Sequence, residues 1–371
     1  ANGTDLDVEA LVAARQPQDA AWIFWTSGTT GHPKGAVVAH DSIGNVWNWT
    51  TLAAEIDEGD RILTSFPVSY IAGNFWCLLA AMVHGATLVV CPTFDGEAVS
   101  RACRDEKVTV LSGIPFMLKE IVHDRSFDPE DFASVRVGFF GGAAMPYADV
   151  LTLVERLGYA HFVHIYGMTE LQGIALSARA SDPRELQLTT CGTPLPGFEI
   201  KLVDPETGDV VDGVGAGEAW FRGRTHLAYE GLSEAESRQF YSPDGFFKTG
   251  DVLRRRADGR YEFVTRIKDL IKVGGENLAA LEIERVLQDH PKILNVQVIP
   301  IADDRRGEVP AAFVELQPGT DDLTLDELRK WAGSRMAPFK LPRRLALLRA
   351  EDWPRTPSTK IARFQLVELL S

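Results

Sequence analysis

Ala21-Trp22-Ile23-Phe24-Trp25-Thr26-Ser27-Gly28-Thr29-Thr30-Gly31-His32-Pro33-Lys34-Gly35 is an apolar run that breaks into glycines, hydroxyls and a lysine. The apolar part predicts a strand. The polar part suits an anion: glycines let backbone N–H groups approach without a Cβ in the way, hydroxyls add donors, and Lys34 adds a positive charge. Thr26, Ser27, Gly28, Thr29, Thr30, Gly31 and Lys34 are therefore candidate phosphate-binding residues. The common P-loop pattern is not met, because Lys34 is followed by Gly35 and not by a hydroxyl suited to Mg²⁺. A plain surface turn is the blander reading of such a segment, but Pro33 and Lys34 inside it are not what a linker needs.

Outward from this loop, as far as Tyr166, strand-like runs alternate with helical patterns. The strand-like runs are Ile62–Phe66, Ala86–Cys91, Val108–Ser112, Val135–Phe140 and His161–Ile165. The helical patterns are Asp41–Ala54, Glu97–Lys107, Pro115–His123 and Pro146–Leu157. Alternation of this kind predicts a largely parallel sheet with helices on its faces, and ligands in such sheets gather at the carboxyl ends of strands. From Cys191 to Val264 short strands and turns take over, with Asp-Gly pairs at Asp212, Asp244 and Asp258, the pattern of antiparallel hairpins. After Arg266 comes a third texture: helices near Ala279–Gln288 and Thr324–Ser334, and strands near Asn295–Ile301 and Ala311–Leu316.

The expected fold class is thus α/β: a large N-terminal domain with mostly parallel sheets flanked by helices, a small antiparallel β subdomain, and an α+β C-terminal domain. The expected boundaries are 1–190, 191–266 and 267–371.

Composition narrows the function. The 371 residues carry 38 Lys+Arg against 52 Asp+Glu, a net charge of -14, which argues against nonspecific nucleic-acid binding. Anionic ligands must be met by local basic residues. The longest apolar stretch, Phe75–Val83, ends at His84 and Gly85, well short of the ~20 residues that span a membrane. Nothing at the start resembles a signal peptide, and Cys77, Cys91, Cys103 and Cys191 form no C-x-x-C pair, so reduced buried thiols and a cytoplasmic location are expected. His161 and His164 read as core histidines.

Further signals stand in fixed order. Gly141-Gly142-Ala143 ends one strand-like run and Tyr166-Gly167-Met168-Thr169-Glu170 the next. Thr249-Gly250-Asp251 comes after a turn, Arg266-Ile267-Lys268-Asp269-Leu270-Ile271-Lys272 joins the last two textures, and Pro354-Arg355-Thr356-Pro357-Ser358-Thr359-Lys360-Ile361 lies near the end. Together they resemble the adenylate-forming superfamily of acyl-CoA synthetases, luciferases and peptide-synthetase adenylation domains, over Trp22 to Ile361.

The resemblance implies activation of a carboxylic acid by ATP to acyl-AMP, with release of pyrophosphate, followed by thioester formation with CoA. One anion must then approach another, and two unit charges 4 Å apart repel by about 4 kcal/mol at an effective dielectric of 20. Cations must relieve that repulsion. The resemblance assigns this to Lys360, bridging the acid and the α-phosphate, and to Mg²⁺ held by Glu170, with Thr169 and the glycine-rich loop on the phosphates. It places Tyr166 against the adenine, with Gly141, Gly142 and Ala143 along its edge, and Asp251 and Arg266 on the ribose. Lys268 takes the hinge position for a swing of the C-terminal domain between the two steps. Lys272, Gly274 and Gly275 would meet the pantetheine arm of CoA; a simple Gly-Gly turn is the other reading of that pair.

The sequence departs from the superfamily pattern at three places. Members carry a long segment before the phosphate loop, which here begins within the first thirty residues; a fragment or an unusually short relative is expected. Thr359 replaces the usual glycine before the catalytic lysine, and a β-branched residue disfavours φ > 0. In the acyl-pocket segment Pro67–Gly73, Tyr70 stands where relatives often carry His or Phe. That segment holds no carboxylate for a substrate ammonium, which lowers an amino-acid-activating reading. Tyr70, Ala72, Gly73, Ile114, Met168 and Ile174 form a mainly apolar candidate wall, so an aliphatic or aryl acid is expected. Ser69, Asn74 and Gln172 would read a polar substituent or serve ordinary core hydrogen bonding. Two alternatives stay open: an acyl-AMP ligase or adenylation domain that loads a carrier protein, and a nucleotide-binding fragment without full turnover. A homo-oligomer is compatible with the sequence.

Overall fold

The apolar run beside the glycine-rich loop forms β1 (Ala20–Thr26), which pairs antiparallel with β2 (Lys34–Ala39), Thr26 opposite Lys34. The computed structural model describes residues 7–26, 34–142, 145, 147–274, 276–320, 322–354 and 361–370. Alternation fixes which face of β1 is inside: Phe24 is buried, while Ile23 and Trp25 on either side are exposed.

Next come β3 (Arg61–Thr64), β4 (Thr87–Val90), β5 (Val110–Leu111), β6 (Val137–Phe140) and β7 (His161–Tyr166). In space they lie in the order β4-β3-β5-β6-β7, all parallel, and β8 (Leu176–Ser177) and β9 (Thr193–Pro194) extend the sheet antiparallel beyond β7. The parallel part is the α/β layer expected from the alternating texture. Its helices include Gly96–Glu106, Pro115–His123 and Tyr147–Leu157. Val99, Leu118, Ile121, Leu153 and Phe162 share its dry core. Apolar residues at i, i+3, i+4 on those helices are what cover the sheet.

The expected helix over Asp41–Ala54 needs correction. It is α-helical only from Ser42 to Trp49 and widens to a π-helix over Thr50–Ala54. The Thr50 hydroxyl donates to the Val46 carbonyl at 2.7 Å, sharing that acceptor with the Thr50 amide, and β-branched Thr51 comes next. A second π-helix, Ala72–Leu78, leads into the α-helix Leu79–His84, which Gly85 ends at φ +68°. This is the longest apolar stretch of the sequence. Phe75 within it meets Trp22 and Phe24 of β1 edge-on, with ring centroids 5.5 Å apart in both pairs.

Further strands are β10 (Phe198–Val203), β11 (Gly215–Gly223), β12 (Ala228–Glu230), β13 (Phe247–Arg255) and β14 (Tyr261–Arg266). β12 returns to pair antiparallel with β2, and the other four form a sheet in the order β10-β11-β13-β14. The Asp-Gly pairs end as turns, with Gly213, Gly245 and Gly259 at φ +73°, +81° and +80°.

The last sheet contains β15 (Leu270–Val273), β16 (Glu276–Ala279), β17 (Ile293–Asp303), β18 (Gly307–Leu316) and β19 (Arg344–Leu347). Its order is β16-β15-β18-β17, and β19 runs parallel to β18. Helices Ala280–Gln288 and Leu325–Ala332 cover it through Ile283, Leu287, Leu328 and Ala332. The second helix begins with a capping box, Thr324 and Glu327 satisfying each other's amides. One expectation is refined here: the strand β16 intervenes between the Gly-Gly pair and the first of these helices.

By internal contacts the chain divides into two units. One comprises residues 1–201, 220–249 and 258–261, the other 202–219, 250–257 and 262–371.

Candidate active site

In the first unit, β6 and β7 are parallel neighbours, so their carboxyl ends lie side by side, with Phe140 opposite His164. Gly141 and Gly142 leave one strand, and Tyr166 to Glu170 leave the other. A Cβ on Gly141 would stand 2.7 Å from the Ile165 carbonyl oxygen, so close strand packing alone demands glycine there. Gly142 is next, at φ +74°. Tyr166 is buried as the last residue of β7, its ring 6.0 Å from that of Phe221 at 20°.

The chain then turns sharply. Thr169–Leu171 is a single 3₁₀ turn closed by Gln172 in the left-handed region, φ 53°. This corner displays Thr169 and Glu170, both half-buried. The Glu170 carboxylate accepts a hydrogen bond from the Tyr229 hydroxyl at 2.9 Å, and its carbonyl accepts from the His226 amide at 2.8 Å. Burial, and then the Glu170 charge, raise the Tyr229 phenol well above its ordinary value, so it stays a donor.

Tyr229 sits on β12 opposite Ala36 of β2. From β2 the Lys34 ammonium reaches the aromatic faces beside it, 4.2 Å from the Phe240 ring centroid and 5.7 Å from that of Tyr229. Thr26 closes the hairpin by donating its hydroxyl to the Lys34 carbonyl at 3.3 Å. Behind Tyr229 stand His226, Tyr241 and Phe247. The His226 ring centroid is 4.3 Å from that of Tyr229, and its Nδ1 lies 3.2 Å from the Tyr241 hydroxyl. Burial pushes the His226 imidazole down to about 4, so it is neutral at pH 7.

Of the candidate phosphate residues, Ser27, Gly28, Thr29, Thr30 and Gly31 lie outside the described residues, as do Ala143, Gly275 and Lys360. Neither Tyr229 nor Phe240 was singled out from the sequence. Tyr229 is 59 residues from Glu170, and no local spacing signals that pairing.

The acyl segment is built around one glycine. A Cβ on Gly73 would come within 2.7 Å of the Phe66 carbonyl oxygen and closer still to that of Pro67. Tyr70 and Ala72 at the start of this π-helix are half-buried. Met168 is half-buried, Ile114 is 6% exposed and Ile174 fully buried. Of the polar candidates, Ser69 is exposed and the other two serve internal bonds. Asn74 donates to the Val68 carbonyl at 3.2 Å, and Gln172 donates to the Thr225 carbonyl at 3.3 Å and Asp41 at 3.4 Å. Asn45 donates to the carbonyls of Gln172 and Ile174, which holds the corner after β7 in place. Gly173, at φ +97°, keeps a hypothetical Cβ 3.4 Å from Phe75.

In the second unit, Asp251 lies within β13 and is buried, and one of its carboxylate oxygens stands 3.2 Å from Nε of Arg266 at the end of β14. Lys268 occupies the short 3₁₀ turn Ile267–Asp269. Lys272 is an exposed residue of β15 whose amide donates to Glu308, and Gly274, φ +60°, opens the turn to β16. Arg363, three residues beyond Lys360, links Asp269 at 3.4 Å to Gln297 at 2.8 Å and to the buried Glu284. Burial raises the Glu284 carboxyl, against the lowering effect of the Arg363 charge and the Val298 amide.

A parallel sheet with Tyr166 and Glu170 at its carboxyl end, Lys34 held from β2 beside Tyr229, and a small α+β body following in sequence is the fold of the adenylate-forming superfamily. The AMP-binding enzyme family profile matches residues 3–228, and that of the AMP-binding enzyme C-terminal domain matches residues 282–360. The chain belongs to the AMP-binding enzyme family.

It is 32% identical to an acyl-CoA ligase (SID4) of Ajellomyces capsulatus over 363 residues, covering 95% of this chain and 62% of that protein. Among solved structures it resembles ATP-bound MatB from Rhodopseudomonas palustris, with a TM-score of 0.87, 25% identity, and 96% and 69% of the two chains covered. It also resembles the o-succinylbenzoate CoA synthetase MenE from Bacillus subtilis in complex with its acyl-adenylate intermediate: TM-score 0.80, 28% identity, 95% and 69% covered. The chain spans 57 to 66% of the length of the first curated relatives it matches. Among the described residues no helix is long and apolar enough to cross a membrane.

Proposed function

We propose that this chain activates a carboxylic acid with ATP, releasing pyrophosphate and forming an acyl-AMP, and then transfers the acyl group to CoA. The observation that carries this reading is the juxtaposition, at the carboxyl ends of β6 and β7, of Gly141-Gly142 with Tyr166 and the Thr169-Glu170 corner. That is where an open α/β sheet takes a ligand. The family membership and the acyl-adenylate bound to a solved relative support the same chemistry.

In this reading Tyr166 packs against the adenine, Asp251 and Arg266 meet the ribose, and the glycine-rich loop with Thr169 and Lys34 meets the phosphates. Glu170 fits a magnesium ion. It is a hard oxygen donor already oriented by a hydrogen bond, and Mg²⁺ characteristically takes one or two carboxylates and completes its shell with phosphates and water. The ion neutralises phosphate charge. Lys360 approaches the acid and the α-phosphate, so that repulsion between the two anions falls as the new bond forms. The C-terminal domain, residues 267–371, then turns about Lys268, and the segment of Lys272, Gly274 and Gly275 meets CoA.

The largely apolar side chains Tyr70, Ala72 and Met168, half-buried, and Ile114, buried, favour an aliphatic or aryl acid. Pyrophosphate release measured with a panel of such acids, with and without CoA, tests the proposal. Release that yields acyl-CoA supports it; release with acyl-AMP accumulating although CoA is present moves the acceptor to a carrier protein; ATP binding without release refutes it.

A further inference from the structure

We infer that Tyr229 is a positioning residue that serves two charges of the nucleotide site at once: its hydroxyl orients the Glu170 carboxylate, and its ring, with Phe240, seats the Lys34 ammonium. The inference deepens the functional reading above and rests on it for the roles of Glu170 and Lys34.

The geometry separates the two tasks. The hydroxyl is 2.9 Å from Oε1 of Glu170, at the corner after β7. The ring lies 5.7 Å from the Lys34 ammonium, and the Phe240 ring, packed edge-on against Tyr229 with centroids 5.1 Å apart, lies 4.2 Å from it. Glu170 and Lys34 come from different elements, the turn after β7 and the strand β2. β12 pairs with β2 in register while the Tyr229 hydroxyl reaches the turn, so one side chain ties both to a common frame.

The seat itself is buried and bonded. Tyr229 is 5% exposed and backed by His226, whose ring is 4.3 Å away and whose amide is bonded to the Glu170 carbonyl. A long lysine and a glutamate each lose side-chain freedom when they bind a ligand. Holding them in place beforehand moves that cost into folding. A hydrogen bond on one carboxylate oxygen also fixes the direction in which the remaining lone pairs face a cation.

Hydroxyl and ring can be removed separately, and calorimetric binding to the full chain reads the result without turnover. Dissociation constants are measured for AMP and for ATP in EDTA, and for ATP with Mg²⁺, in Tyr229→Phe, Phe240→Leu, Tyr229→Leu and Glu170→Gln, with melting temperature as a check on folding. Tyr229→Phe should lose about tenfold of the tightening that Mg²⁺ gives to ATP, the lower range for loss of a partner behind a metal ligand. Its AMP and metal-free ATP affinities should stay within twofold of the parent.

Phe240→Leu should do the opposite, weakening metal-free ATP by about threefold through the loosened lysine while leaving AMP and the magnesium effect alone. Tyr229→Leu should show both losses. Full magnesium tightening in Tyr229→Phe, where Glu170→Gln has lost it, overturns the inference and leaves the role of Glu170 standing. Full tightening in Glu170→Gln, or a parent chain that binds no ATP, overturns the functional reading and the inference with it. Equal loss of AMP and ATP affinity in Tyr229→Phe marks a structural residue only and also overturns it.

Discussion

Replacing Asp251 with asparagine tests the ribose assignment where the structure gives a magnitude. The residue is 4% exposed, lies inside β13, and has Arg266 Nε 3.2 Å from one carboxylate oxygen. Asparagine is nearly isosteric, so the change is electrostatic: one oxygen acceptor remains and the other becomes a donor. A hydrogen bond to a charged group is worth about 2 kcal/mol, roughly twice its neutral counterpart. A vicinal diol bonded twice to the carboxylate would then lose about 2 kcal/mol in all, a weakening of nucleotide binding of about 30-fold. Folding should suffer little, because the Arg266 side chain is 44% exposed and an ion pair at such a site contributes at most about 1 kcal/mol. Calorimetric titration with ATP and with 2′-deoxy-ATP separates the ribose contact from general damage. The parent should prefer ATP, and in Asp251→Asn that preference should shrink by about 1 kcal/mol, roughly fivefold. A variant that keeps the parent's preference refutes the assignment, whatever its absolute affinity.

Lys360→Ala should cost the adenylation half-reaction about 3 kcal/mol, the scale of losing one charge stabiliser, and spare thioester formation from supplied acyl-AMP; equal losses in separate half-reaction assays would contradict a lysine used only in the first step. Lys268→Pro should spare adenylation and slow thioester formation, since proline suits an early position in the 3₁₀ turn Ile267–Asp269 but resists departure from it. Unchanged acyl-CoA output from that variant would count against a hinge there. Asp60 is 3% exposed, and although burial pushes its carboxyl up, the Arg136 guanidinium, the Thr109 hydroxyl and the Asp57 amide outweigh that and hold it below the ordinary 3.8. Its contribution to stability is therefore complete above 3.8 and lost as the pH falls below it, so the gap in denaturation midpoint between the parent and Asp60→Asn should be full at pH 7 and close in that acid range. Gly73→Ala should destabilise by about 2 kcal/mol or more through overpacking against two carbonyl oxygens, seen as a lowered melting temperature; an unchanged midpoint would mean that the π-helix can shift.

The α/β layer was legible because its signals are local. Each parallel strand is a short apolar run with a helix after it, and the structure keeps every one of the five runs from Ile62 to Ile165 as a strand, often shorter than the run. At Phe66 the chain has left the ladder and bends, and beyond β5 Gly113 still bridges to Phe140. Helix type was less legible. Nothing in the periodicity of Asp41–Ala54 distinguishes an α-turn from a π-turn. The site divides the same way. Motif residues at strand ends, Gly141, Tyr166 and Glu170, declare themselves by their place after an apolar run. Tyr229 and Phe240 act by crossing between elements, and such pairings leave no trace in one sequence.

The glycines of the motifs carry less functional weight than their positions suggest. Room for an adenine is one reason for Gly141, yet the Ile165 carbonyl already excludes a side chain there, and at Gly167 a Cβ would overlap the Gly173 carbonyl. Gly73 is excluded in the same way by Phe66 and Pro67. These are requirements of closely packed backbone, and a chain that bound no nucleotide would need them equally. Side chains that the fold does not require are the better witnesses. Packing explains a buried aromatic at Tyr229 but not a hydroxyl there, for Phe would fill the same space with no polar atom to satisfy. The hydroxyl is accounted for by the one carboxylate it meets, and that carboxylate stands beyond the carboxyl end of β7, where folds of this kind take ligands. Glu170, Tyr229 and Lys34 therefore mark this corner for a charged substrate more strongly than the glycines of the motifs do.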